Sequence, residues 1–131
     1  MMSWRVEDLV TRETSDALGA EPAGYLTYTP DGRVMVLVLR RGRKPPSSLL
    51  PTDAEKADLY DTMFAYAGTF SVDHEKVAHR IDMSWNEAWS GTDQIRFFSL
   101  KGETLTYVGA PARSPMNGRD CVHTVVFRRS H

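Results

Sequence analysis

Arg96 alternates with Gln94, Phe98 and Leu100 in the run Gln94-Ile95-Arg96-Phe97-Phe98-Ser99-Leu100. Side chains two apart share one face of a strand. With Phe98 and Leu100 taken as core, Gln94 and Arg96 point inward beside them. A guanidinium carried into an apolar interior is costly unless it is paired or hydrogen-bonded. Facing a cavity, it would anchor a carboxylate, enolate or carbonyl of a bound molecule. The competing reading is an internal pair with Asp82, Glu87 or Asp93, or an outward-facing side chain.

Two histidines lie on similar faces. His79 alternates with Val77, Ile81 and Met83, and His123 with Cys121, Val125 and Phe127. If those faces are internal, either imidazole could act as a general acid or base, since its unperturbed pKa of about 6.5 needs little adjustment. The plainer reading is a satisfied core histidine. Cys121, His123 and His79 would also make a three-ligand set suited to zinc, but no second carboxylate shell can be placed and no His-x-His motif occurs, so no metal and no cofactor is expected. A Cys121–His123 dyad lacks an orienting third residue.

Aromatic residues form the other group. Tyr25, Tyr28, Tyr66, Trp85, Trp89, Phe97, Phe98 and Tyr107 could wall a pocket for a planar or apolar molecule, and core filling explains them equally well. Trp85 and Trp89, at i and i+4, would lie together if the connection from Trp85 to Gly91 forms a helical turn. That segment would then be the rim or the plug of a cavity.

The elements that must position these groups are mostly short β-type runs ended by turn residues. Gly24 to Thr29, Pro30-Asp31-Gly32 and Arg33 to Leu39 make a hairpin: Pro fixes φ early in the turn and Gly accepts a positive φ later. The second arm is apolar on both faces, so both its sides should be covered. Thr52-Asp53-Ala54-Glu55 is a capping box. Tyr60, Met63, Phe64 and Ala67 fall at i, i+3, i+4 and i+7, which predicts one helix of about four turns stopping at Gly68. Further strands are expected at Trp4–Glu13, Thr69–Val72, Val77–Met83, Gln94–Leu100, Glu103–Val108 and Asp120–Arg129, eight in all with the hairpin. Such a set suggests one domain over 1–131, an eight-stranded antiparallel up-and-down β-barrel with one α-helix, because closure removes exposed edges. Eight strands leave an interior just wide enough to fill with side chains or to hold one small ligand.

Composition agrees with an ordinary soluble domain. The 131 residues are 41% hydrophobic and 25% charged, with 16 Lys+Arg against 17 Asp+Glu, and a net charge of −1 excludes the basic excess of a nucleic-acid binder. The cluster Arg40-Arg41-Gly42-Arg43-Lys44 reads as a solvated loop. One cysteine excludes a disulfide framework. The longest apolar run, Val34 to Leu39, is far short of a membrane span, and the N-terminus lacks the apolar stretch of a secretory signal. A cytoplasmic location is expected.

Three motifs in register carry a resemblance. Gly24-Tyr25-Leu26-Thr27-Tyr28-Thr29-Pro30-Asp31-Gly32-Arg33 resembles the Gly-Tyr-Leu-x-Tyr-Thr-Pro-Asp-Gly-Arg run of the bacterial and fungal lipocalin-like domain family. Tyr66-Ala67-Gly68-Thr69-Phe70-Ser71-Val72-Asp73 is similar to its Tyr-x-Gly-Thr-Tyr-x-Val-Asp segment, and Trp89-Ser90-Gly91-Thr92-Asp93-Gln94-Ile95-Arg96 to its Trp-x-Gly-Thr-x-Gln-x-Arg segment. The resemblance implies a lipocalin-like barrel. It also implies an opening Gly-x-Trp, where this chain has Met2 two positions before Trp4, and a closing Arg, here Arg128 or better Arg129, packed over that Trp. Members of the family include apparent small-molecule binders and relatives associated with natural-product cyclisation or isomerisation.

The leading expectation is a barrel holding a small, mostly apolar organic molecule, with Arg96 and Gln94 at its polar end and Tyr28, Trp85, Trp89 and Phe98 around its body. The rival is a cofactor-independent cyclase or isomerase acting on a polyketide-like intermediate, in which His79, His123 and Arg96 would be catalytic. A ligand-free interaction module is the third reading. Homodimerisation is left open; neither a nucleic-acid nor a membrane partner is expected.

Overall fold

The alternating segments fold as ten strands of one antiparallel sheet in a computed structural model that describes residues 1–130. In chain order these are β1 (Ser3–Asp8), β2 (Thr14–Asp16), β3 (Ala23–Tyr28), β4 (Arg33–Leu39), α1 (Asp53–Asp61), β5 (Met63–Val72), β6 (Lys76–Ser84), a 3₁₀ turn (Glu87–Trp89), β7 (Asp93–Lys101), β8 (Thr104–Gly109), β9 (Ala112–Arg113) and β10 (Asp120–Arg128). The sheet runs β2-β1-β10-β8-β7-β6-β5-β4-β3, with β9 paired to β10. The count exceeds eight because β2 and β9 are too short to show a period, and because the expected Trp4–Glu13 strand breaks after Asp8, where Arg12 adopts φ 62°.

Among the described residues no ladder joins β3 back to β1 or β2, so the expected strand-to-strand closure is not made. The sheet curls, and its two ends meet through side chains and through the Met1 ammonium, which donates to the Gly24 carbonyl of β3 at 2.8 Å. Trp4 of β1 and Leu18 pack in one buried cluster with Val34, Val36 and Val38 of β4 and Phe64, Tyr66 and Ile81. Val77, Tyr107 and Phe127 form a second cluster, against which Phe98 and Leu105 pack. The outer face of β4 is not covered as expected: Met35 and Leu37 are exposed, beside Tyr25 on β3.

The expected helix ends nearly two turns early. The capping box forms as read, with Thr52 accepting from the Glu55 N–H and Glu55 accepting from the Thr52 N–H. The helix then stops at Asp61, where an acidic last turn opposes the macrodipole. Arg43 supplies the missing cation from the loop, donating to the Leu59 carbonyl and to Thr62 Oγ1, both at 3.0 Å. That loop is therefore tied to α1 rather than simply solvated. Met63, Phe64 and Ala67 belong to β5, in which Phe64, Tyr66 and Gly68 alternate toward the interior.

Gly68 does not terminate a helix; it lies mid-strand at a bulge. Ala67 pairs with Met83 but Gly68 pairs with Ile81, so β6 carries one extra residue, Asp82. The bulge reverses the phase of β6. Val77, His79 and Ile81 are buried, while Met83, expected on the same face, points out to solvent.

Candidate functional site

The curl of the sheet encloses a cavity of about 180 Å³ between the two clusters. Its walls are Trp4, Val36, Val38, Phe64, Tyr66, Tyr107 and Val125, and its mouth is bordered by the exposed Asp93, Ala110, Ala112 and Arg113. Asn86 donates to the Pro115 carbonyl at 2.8 Å and ties the 3₁₀ turn to the segment after β9 across this end. Trp89 follows from that turn and forms part of the wall.

Arg96 projects into the cavity from β7. Its guanidinium carbon lies 5.8 Å from the centre of the Trp89 ring, within cation–π range. Among the described residues no carboxylate lies within 4 Å of it; the ion pairs of Asp82 and Asp93 go to Arg33 and Arg80. Its one direct hydrogen bond to the backbone, to the Ile95 carbonyl, is long at 3.4 Å. Arg96 thus brings an uncompensated charge to an apolar wall. Beside it Gln94 donates to Thr92 Oγ1 at 3.0 Å, which fixes the amide and leaves its oxygen unspent by that bond.

Behind Arg96 lies a chain of neutral polar groups. Tyr66 Oη is 2.6 Å from His79 Nδ1, Tyr28 Oη is 2.6 Å from His79 Nε2, and Tyr28 is hydrogen-bonded in turn to the Tyr107 hydroxyl. His79 is 1% exposed, and burial first, then the Arg96 charge, lowers its pKa to about 3. It is a neutral imidazole with both nitrogens occupied. Burial likewise raises the pKa of all three tyrosines, so they stay protonated hydroxyls.

His123 forms a second neutral node. The Trp4 indole N–H donates to His123 Nδ1 at 2.8 Å, which leaves the ring proton on Nε2, 3.2 Å from Cys121 Sγ. Burial and the Arg96 charge lower the His123 pKa to about 4. The two side chains do meet, but the sulfur accepts from a neutral imidazole and burial raises the thiol pKa. That arrangement leaves a thiol, the opposite of an activated thiolate.

The whole-chain comparison is decisive here: the model of the lipocalin-like domain matches residues 1–130. The chain belongs to the lipocalin-like domain family. No curated protein and no solved structure matches it.

In this lipocalin-like domain the cavity gathers Gln94, Arg96, Trp89, His123, Tyr66 and Tyr107 from the residues singled out in the sequence. Tyr28 and His79 stand behind the wall, reaching it through Tyr66 and Tyr107. Phe98 packs in the second cluster, and Leu100, expected beside it as core, is exposed. Trp85 and Trp89 do not stack on each other; both pack on Phe64, at ring separations of 4.7 and 5.3 Å, and only Trp89 reaches the cavity. Neither Arg128 nor Arg129 covers Trp4, whose indole turns to His123; among the described residues the one cation over an aromatic ring is Arg96. Trp4 and Phe64 are wall residues that the sequence reading did not name as such. Trp4 could have been found, since its strand must pair beside the one carrying His123. Among the described residues no helix is long and apolar enough to cross a membrane.

Proposed function

We propose that this lipocalin-like domain binds a small, mostly apolar organic molecule the size of one substituted ring, with a carboxylate, enolate or carbonyl oxygen on Arg96. The observation that carries the reading is Arg96 itself: a cavity-lining guanidinium without a carboxylate partner among the described residues, backed by an indole ring. An interior charge of this kind is costly until an anion or a strong acceptor joins it. Size supports a compact guest, because an apolar cavity of about 150 Å³ already accepts benzene.

Benzoate is a suitable probe. It should raise the thermal midpoint in a concentration-dependent way, and Arg96→Gln should weaken its binding by about 10- to 100-fold, the range for a lost charge-assisted hydrogen bond. Equal binding by Arg96→Gln and the unaltered protein in calorimetric titration would sink the reading. The rival of cyclisation or isomerisation uses the same cavity, with Arg96 and the tyrosine hydroxyls around an enolate. It draws less support, because His79 and His123 are held neutral and weakly basic, far from the pKa a general base needs near neutral pH.

A further inference from the structure

The outer face of β3 to β6 is an apolar surface that the fold leaves uncovered. Partners in an antiparallel ladder point to the same side. The register therefore lays Thr27, Met35, Ala67 and Met83 in one outward row, and Tyr25, Leu37 and Ala65 in the next. None of these side chains is charged. Tyr25 is 72% exposed, Met35 61%, Leu37 46% and Met83 64%. Met83 joins the patch only because the bulge at Asp82 reverses the phase of β6. On β7 and β8 the exposed apolar residues are broken up instead: Phe97 and Val108 sit in a row between Lys76 and Thr124.

Area and charge narrow what would cover it. With roughly 200 Å² accessible on a fully exposed side chain of this size, the four leave on the order of 500 Å² to water, within the range of patches that serve a contact. Two copies face to face would hide about 1,000 Å² and more at the border, the size at which specific interfaces begin. Tyrosine and methionine over a charge-free centre match the composition of interface cores. The border itself is balanced, since Arg33 pairs with Asp82 at 3.8 Å and Arg80 with Asp93 at 3.2 Å. A copy facing itself meets no net like charge there, whereas a strongly acidic or basic partner finds nothing to select it. A broad pleated face also suits another sheet, because two sheets pack face to face about 10 Å apart.

We propose that this face is the interface of a homodimer, in which two copies pack sheet on sheet about a twofold axis and bury Tyr25, Met35, Leu37 and Met83 against each other. The same strands turn Val36, Val38, Phe64 and Tyr66 to the cavity, so the interface lies on the side of the sheet away from it. Dimerisation supplies the cover that an arm apolar on both faces requires. It is independent of what the cavity holds.

Sedimentation velocity of the full chain over roughly 1 to 100 µM spans the range in which a contact of this size dissociates. It should show a shift from one chain mass to two as concentration rises, with no larger species. Leu37→Glu and Met35→Glu should each weaken association at least about 100-fold, because each buries unpaired carboxylates in the contact. Phe97→Glu, at a 45% exposed site outside the patch, should leave it unchanged. Dilute peroxide, with free methionine as internal standard, should oxidise Met35 and Met83 more slowly at the high concentration than at the low one. If a glutamate variant does not fold, the peroxide comparison decides alone. A chain still monomeric at about 100 µM would overturn the proposal, and its flotation with phosphatidylcholine vesicles would assign the face to a membrane instead. A dimer that survives both glutamates, or that leaves Met35 and Met83 equally reactive at both concentrations, would overturn it as well.

Discussion

Gly68→Ala is expected to cost more than about 3 kcal/mol of folding stability, a large part of the 5–15 kcal/mol that holds a domain together. A Cβ built at Gly68 would sit 1.9 Å from the Arg80 carbonyl oxygen, 2.8 Å from the Arg80 carbonyl carbon and 3.0 Å from the Ile81 Cα. All three are backbone atoms of the neighbouring strand, so no side-chain rotation relieves the overlap. Either β6 must slide or the bulge that places His79 inward must go. Gly109→Ala is the matched control. Its nearest neighbour would be the His123 carbonyl oxygen at an ordinary 3.7 Å, and its change should stay within about 1 kcal/mol. Urea unfolding of the two variants decides the matter: a Gly68→Ala midpoint close to that of Gly109→Ala would contradict the close approach.

The second large effect is a loss of stability in mild acid. His79 and His123 have pKa values of about 3 and about 4 in the folded protein, against about 6.5 unfolded. Above pH 6.5 both are neutral in both states and the penalty is absent. As pH falls below 6.5 the unfolded chain takes up protons that the folded one refuses, and stability declines until the folded-state values are passed. Each histidine then costs roughly 2 kcal/mol at pH 5, and about 4 kcal/mol together, relative to pH 7.5. Urea titrations at the two pH values should show this difference at an unchanged m value. A flat profile from pH 7.5 to 5 would mean that the imidazoles can be charged where they stand, contrary to their burial.

Much of this was legible in the residues. The Pro30-Asp31-Gly32 turn, the Thr52 capping box and the alternating faces of β6 up to Ile81, of β7 up to Phe98 and of β10 all follow from local chemistry that tertiary packing left in place. Arg96 and Gln94 were placed inward by alternation alone. The failures share one cause, since local pattern does not show which period wins. Met63 to Gly68 fits both a helical and a strand repeat, and the acidic end of α1 together with the pairing offered by β4 chose the strand. Met83 was misplaced because a one-residue bulge leaves no mark in composition. Leu100 was misplaced because β7 outruns the region the core covers. The four-membered polar chain lay beyond reach for a different reason. It unites β3, β5, β6 and β8, and that meeting depends on the curl of the whole sheet.

Cys121 is the chain's single thiol, and it is 1% exposed on β10, paired there with β1 on one side and β9 on the other. An alkylating reagent can reach that sulfur only when β10 separates from its neighbours, so the labelling rate in native buffer becomes a clock for opening of the β1–β10 end of the sheet. A guest that braces the cavity wall should slow that clock, giving a readout of occupancy that needs neither a chromophore nor turnover.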